Sequence, residues 1–328
     1  MDNRKKDLHS NDIQEVPEQI LEAASRGKLV IFIGAGVSRI IGCPSWEEFA
    51  KILLNDLCEK NVIDYFEKEE LSKFHARKVL SICDEIYKKE GVPFPDFKEI
   101  FRGNPKIKEK YEIFKNLYSM NAIYVTTNYD DHLDEEAHKG RPMKKAQFSR
   151  DEPIGQTEDN IERGEVIYRE KELLVSNLSN GKVIHLHGSV QDPLSMIVSL
   201  SDYMNHYYGE KPRVPDFLKE LFTNYTVLFV GYGLEEYEIL EFMISKIPRT
   251  KKSISHYILL PFFVSQKNIV NYQKKYFLSM GIELRPYFID KSGYSHLDCV
   301  IKEWARQIGP ISKPQTFLDK IRIIDEVL

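Results

Sequence analysis

The chain has 328 residues, with 46 Lys and Arg against 50 Asp and Glu for a formal net charge of −4, and 42% of its residues are hydrophobic. That apolar share supports a full buried core and excludes disorder as the main state, while 17 Gly and 15 Pro exclude collagen-like and low-complexity readings. The small negative charge gives no general attraction to nucleic acid or to an anionic membrane, and no run reaches the roughly 18 apolar residues of a membrane helix.

In chain order, the charged start (MDNRKKDLHSNDIQEVPEQ) leads into no apolar signal region, so a cytoplasmic protein is expected. The first short, β-rich apolar run is Leu29–Ile33, and Gly34-Ala35-Gly36-Val37-Ser38 follows it directly. Ser45-Trp46-Glu47-Glu48 matches the S-x-x-E capping box and opens a helix to about Glu59, with Phe49, Ile52, Leu53 and Leu57 at the 3.6-residue period. Helical stretches at about 66–89 and 107–118 complete a helical insertion over about 45–118. The next strand is Ala122–Thr127, ending in Thr126-Thr127-Asn128-Tyr129-Asp130, with a helix expected at about 131–138. A polar insertion at about 140–181 carries only a weak strand signal at Val166-Ile167-Tyr168 and reads as a long loop or short hairpin.

Lys182–His187 leads into His187-Gly188-Ser189, and Tyr225–Gly231, Ser255–Leu260 and Ile282–Phe288 supply three further strands. Pro286 removes a ladder donor, which predicts an edge position for the last of these. A helix at Gln315–Val327, with Phe317, Ile321, Ile324 and Val327 along one stripe, closes the chain. Near-continuous apolar strands alternating with helices predict a doubly wound parallel α/β sheet covered on both faces. The expected division is a Rossmann-like core at about 20–44 and 119–310, the two insertions, and a terminal helix at about 314–328.

In such sheets ligands bind outside the carboxyl ends of the strands, and three ends here carry polar or glycine-rich signatures. The GxG turn after the first strand lets backbone N–H groups approach a pyrophosphate, with Ser38 adding a hydroxyl, although a tight ligand-free turn explains the two glycines equally well. Asn128 and Asp130 either face a ligand or cap the helix that follows. His185 and His187, two apart on a strand, are expected to share a face, with His185 weighing on stability more than on chemistry. Cys43, Cys58, Cys83 and Cys299 have no CxxC spacing, so no structural zinc is expected.

GAGVS, TTNYD and HLHGS, in that order after consecutive strands, resemble the SIR2 (sirtuin-like) family, and LFVGYGL at Leu228–Leu234 is similar to that family's second glycine-bearing strand end. The resemblance implies that Gly34, Ala35, Gly36 and Ser38 form the phosphate-binding turn and that Thr127, Asp130, Gly231 and Gly233 also contact the cofactor. It implies Asn128 and His187 as the catalytic pair. The two CxxC pairs of protein-deacylating sirtuins are missing, and Gly42-Cys43-Pro44-Ser45-Trp46 stands where those enzymes carry a motif like GIPDFR. GxPSW together with HLHGSVQDPLSMIVSLSDY is similar to zinc-free bacterial SIR2-like proteins of anti-phage defence, while Glu235-Glu236 stand where that group usually has Asp.

The implied activity is cleavage of NAD, as a substrate and without a metal, to nicotinamide and ADP-ribose. A homo-oligomer or an activating partner protein is expected to restrain it, since unchecked cleavage depletes the cell's own cofactor. Protein deacylation or ADP-ribosyl transfer uses the same residues, and a non-catalytic nucleotide sensor needs neither Asn128 nor His187.

Overall fold

The computed structural model describes residues 13–142, 161–162, 164–174, 178–210, 213–233, 239 and 256–312. After α1 (Glu18–Ser25), strand β1 (Leu29–Ile33) runs through the middle of the molecule, and α2 (Ala35–Ile40) follows its carboxyl end. Helices α3 (Trp46–Glu59), α4 (Tyr65–Ser72), α5 (Ala76–Glu90), α6 (Phe97–Ile100) and α7 (Glu112–Ser119) lead to β2 (Ile123–Thr126) and α8 (His132–Lys139). Short strands β3 (Arg141–Pro142), β4 (Ile161–Glu162) and β5 (Val166–Ile167) precede β6 (Val183–His185), α9 (Leu200–Tyr208), α10 (Arg213–Asn224) and β7 (Thr226–Val230). The described chain closes with β8 (His256–Phe262), α11 (Lys267–Leu278), β9 (Ile282–Phe288) and α12 (His296–Ile311).

Among the described residues seven strands form one parallel sheet in the order β5-β6-β2-β1-β7-β8-β9, and β3 and β4 pair separately and antiparallel. The chain steps from β1 to β2, goes out to the edge at β5, fills the gap between them with β6, then crosses to the other side of β1 at β7. That reversal is the place where a doubly wound sheet opens a crevice. The register levels the strand ends: Ile33 lies beside both Thr126 and Val230, and Thr126 beside His185.

All five β1 side chains are buried, and the two-residue period sends them to two different cores. Leu29, Ile31 and Ile33 join Tyr124, Leu228 and Val230 under α1, α7 and α12, with Ile20, Leu117 and the fully buried Trp304. Val30 and Phe32 join Ile123, Val125 and Phe229 against α9, α10 and α11, with Tyr207, Leu218, Leu221 and Phe277. This is the doubly wound α/β fold that the strand pattern predicts. β9 stands at one edge, where Pro286 costs no inner ladder bond.

The capping box forms as read. The Glu48 N–H donates to Ser45 Oγ at 3.2 Å, and the Ser45 N–H donates to Glu48 Oε2 at 2.7 Å. The helical stretch at 66–89 divides into α4 and α5, because a second box at Asp64 and Glu67 starts the first and His75 accepts from the Arg77 N–H to start the other. α3, α5 and α6 share a third core of Phe49, Leu53, Leu80, Cys83, Tyr87 and Phe101, which also takes in Tyr129 from beyond β2.

Val166-Ile167, read as part of a loop or hairpin, instead extends the main sheet as β5 by pairing parallel to β6, with Ile167 buried. The terminal helix expected at 314–328, Glu235-Glu236 and most of the polar insertion lie outside the described residues. No helix among the described residues is long and apolar enough to cross a membrane.

Candidate active site

A cleft of about 530 Å³ opens at the carboxyl ends of β1, β2 and β7, and α3 and α5 roof it. Ala35, Gly36, Ser38, Thr127, Asn128, Asp130, Gly231 and Gly233 line it, as do Trp46, Tyr129, His75 and Arg77. A groove of about 590 Å³ between α5 and Leu200 of α9 shares His75 and Arg77 but is otherwise walled by residues such as Ile82 and Ile86. It holds none of the strand-end polar groups, so the chemistry belongs to the first cleft.

Ser38 organises the cleft floor. Its hydroxyl donates to Asp130 Oδ2 at 2.6 Å and accepts from Asn128 Nδ2 at 2.9 Å, and the same Asn128 amide donates to the Gly34 carbonyl at 3.1 Å. Helix α8 begins with Asp131 as its cap residue and receives no side-chain cap bond, so neither Asn128 nor Asp130 serves as its cap. Asn128 Oδ1 has no hydrogen-bond partner among the described residues, which leaves an acceptor at the cleft wall. Burial pushes the Asp130 carboxyl above its ordinary range, against the pull of His132, the Ser38 hydroxyl and His185.

The two glycine turns press on each other. A Cβ on Gly36 would lie 2.7 Å from the Gly231 carbonyl oxygen, and one on Gly231, whose φ is +62°, would lie 2.6 Å from the Val37 nitrogen. The Gly36 N–H donates to the Gly231 carbonyl at 2.8 Å, so that donor is already committed within the protein. Backbone-on-backbone contact is a sufficient reason for glycine at these two positions.

His185 and His187 do not share a neighbourhood. β6 ends at His185 and the chain turns through Leu186-His187, which cancels the strand period beyond that point. His185 faces α8, with Nε2 2.8 Å from Asp134 Oδ1 and Nδ1 3.0 Å from the Asn128 carbonyl oxygen. His187 faces α9, with Nε2 2.9 Å from the Tyr207 hydroxyl, its ring centroid 5.1 Å from that of Tyr203, and Nδ1 without a partner among the described residues. It is 0% exposed and lies behind the cleft wall, not on it. Burial pulls its pKa well below the ordinary value of 6.5, helped by nearby His206 and Arg77, so the ring is neutral at physiological pH. The Arg77 guanidinium sits 4.8 Å from the centroid of the Tyr203 ring, which links the cleft lining to the wall over His187.

Asp131, His132 and Glu135 bring one ligand atom each within 4.8 Å of one another. Glu135 is exposed and Asp131 accepts from Gln191, an arrangement ordinary for the start of a helix. Burial raises the Cys43 thiol far above its usual range and that of Cys83 to about 12, so neither offers a thiolate.

His75 and Arg77 carry no motif, and their place in the cleft was not readable from the chain. Trp46 and Tyr129 lie inside quoted motifs, where their aromatic character is the signal.

Residues 122–283 match a family model described as a SIR2-like domain. The chain is 24% identical over 299 residues to "Defense-associated sirtuin 2" of Bacillus subtilis, an alignment covering 88% of this chain and 26% of that protein. It is 25% identical over 223 residues to "NAD(+) hydrolase ThsA" of Enterococcus faecium, covering 66% of this chain and 39% of that protein. The chain therefore spans about a quarter and about two-fifths of these relatives' lengths. The matched segment begins at β2, so it includes Asn128, Asp130, His187 and Gly231 but not the Gly34–Ser38 turn, which the register of β1 brings beside it.

Proposed function

We propose that this chain hydrolyses NAD to nicotinamide and ADP-ribose and serves as an NAD-depleting effector of anti-phage defence. The supporting observation is the Ser38–Asn128–Asp130 cluster at the switch point of a SIR2-like sheet, with an unengaged Asn128 Oδ1 on the cleft wall. The names of the two relatives point the same way.

In this reading Gly34, Ala35, Gly36, Ser38, Thr127, Asp130, Gly231 and Gly233 hold the dinucleotide, and Asn128 and His187 carry the chemistry. The nicotinamide–ribose bond breaks with positive charge developing on the ribose, so the site has to hold the sugar and place a nucleophile. Water adds at the anomeric carbon, nicotinamide departs neutral, and one proton is released. Asn128 Oδ1 accepts a hydrogen bond from that water or from a ribose hydroxyl. His187, kept neutral by burial, accepts the released proton at Nδ1. A base enclosed by Tyr203, Tyr207 and the Arg77 contact meets substrate only after that wall moves, which fits a chain held latent until an oligomer or partner assembles. The helices over about 45–118 then act as a lobe that closes the cleft.

Nicotinamide release by the purified chain, followed with and without an acyl-lysine peptide, tests this. Release without the peptide supports hydrolysis, whereas release only with it returns the deacylase or transferase reading.

A further inference from the structure

How Asn128 is held depends on two residues outside the cleft. Its N–H donates to Thr126 Oγ1 at 3.0 Å, and its carbonyl oxygen faces His185 Nδ1 at 3.0 Å. The other nitrogen of that imidazole faces Asp134 Oδ1 at 2.8 Å, and Asp134 Oδ2 accepts from the Tyr168 hydroxyl at 3.3 Å. Both side chains of the Asp134–His185 pair are 1% exposed.

A carbonyl and a carboxylate are both acceptors, while a neutral imidazole has a single N–H. Making both bonds at once takes two protons: one donated from Nδ1 to the Asn128 carbonyl, the other held between Nε2 and the Asp134 carboxylate. The pair as a whole is then uncharged, which is the form a site this dry tolerates.

We propose that the buried Asp134–His185 pair is a positioning device for Asn128, clamping its carbonyl so that the side-chain amide keeps its bonds to Gly34 and Ser38 and presents Oδ1 to the cleft. The pair touches neither substrate nor reacting atoms; its effect reaches the reaction through Asn128. The kinetic consequence rests on the NAD-hydrolase reading, whereas the placement of the amide does not. A displacement of about 1 Å in a group that orients a nucleophile costs roughly 10²-fold in rate, so the clamp belongs in kcat and not in KM.

The test uses the full chain. His185→Phe removes the donor to Asn128 but strands the Asp134 charge, so it is paired with the double variant His185→Phe/Asp134→Leu, in which both partners become apolar together at little cost to folding. His185→Gln is the rescue variant, because its amide can donate to the same carbonyl. In nicotinamide release, the double variant is expected to lose roughly 10²-fold in kcat with KM within about twofold of the parent, and His185→Gln to recover part of the loss. An unchanged kcat in the folded double variant overturns the proposal.

The Asn128 side-chain amide signal in nitrogen-15 NMR, assigned with Asn128→Asp, gives the second readout. It is expected to move in the double variant and to return toward the parent position in His185→Gln. A signal that stays in place overturns the proposal whether or not NAD is turned over. A parent chain that releases no nicotinamide under any condition overturns the hydrolase reading instead, and the amide signal then decides the clamp alone.

Discussion

The carboxyl ends of β2 and β6 lie next to each other in register, yet their polar side chains have opposite situations. Asn128, beyond β2, is half-buried, faces the cleft and has its amide tied by Gly34 and Ser38. His187, beyond β6, is fully buried among Tyr203, His206 and Tyr207. One region is preassembled and open; the other is complete but closed. The difference teaches that a strand-end motif specifies which groups stand near the switch point, while access to each is set by the helix packed over it, α3 and α5 for Asn128 and α9 for His187.

The largest expected effect breaks the comparison at its two ends. Asn128→Ala and His187→Ala should each lower nicotinamide release by about 10²–10⁴-fold, the usual loss on removing a general base or its partner in orienting the nucleophile. Their circular dichroism spectra should match that of the parent. Parent-like turnover by His187→Ala would show that the open cleft works without the closed pocket.

The contact between the two glycine turns is next. Gly231→Ala should destabilise the fold by about 1–3 kcal/mol through a forced left-handed conformation alone, and the approach of its Cβ to the Val37 nitrogen adds to that. Urea unfolding gives the cost, and a midpoint equal to the parent's would remove the packing explanation for glycine at this strand end.

Tyr207→Phe probes the closed region by itself. It removes the hydroxyl beside His187 Nε2 and leaves both nitrogens of a buried ring unsatisfied, for a loss of about 1 kcal/mol or somewhat more. The open cleft is untouched, so NAD affinity should hold while stability falls; equal stability by urea unfolding would argue against the bond.

The smallest effect is a pH slope, and it separates the buried histidines His256 and His187 from His185, which has a buried carboxylate partner. His256 accepts the Val227 N–H at Nδ1, and burial lowers its pKa to about 4 from an ordinary 6.5. Because the unfolded chain takes up this proton first, stability falls as pH drops from 6.5 toward 4, and His187 contributes in the same direction. His185 runs the other way: burial opposes its protonation, but the Asp134 carboxylate, the bond to it and the Asn128 carbonyl raise its pKa above 6.5. Its contribution is present below 6.5 and is lost as pH rises through the raised value. His256→Gln should flatten the acid-side slope in urea midpoints measured across this range without changing nicotinamide release; an unchanged slope would place the titration elsewhere.

The fold was legible because its strands are short continuous apolar runs. β1 and β9 have the bounds read from the chain, and β2, β6, β7 and β8 differ by one or two residues at each end. The Ser45 box was legible because it is local chemistry between neighbours. Val166-Ile167 was not, since two residues have no period, and they become a strand only because β6 offers a free edge. The break between α4 and α5 was missed with Asp64-x-x-Glu67 in plain view, a capping signal hidden inside a stretch of helix-forming residues.

Of the candidate site, the sequence by itself determined the strand-end motifs and the glycines, because these follow from chain order and from the room a turn allows. Only the tertiary structure decided that Asn128 and Asp130 bind Ser38 instead of capping α8, that a turn after His185 sends the two histidines to opposite partners, and that Arg77 reaches the cleft from α5. Each of these depends on side chains far apart in the chain meeting where two strands and a helix end. Register and layer packing set such meetings, and no local pattern encodes them.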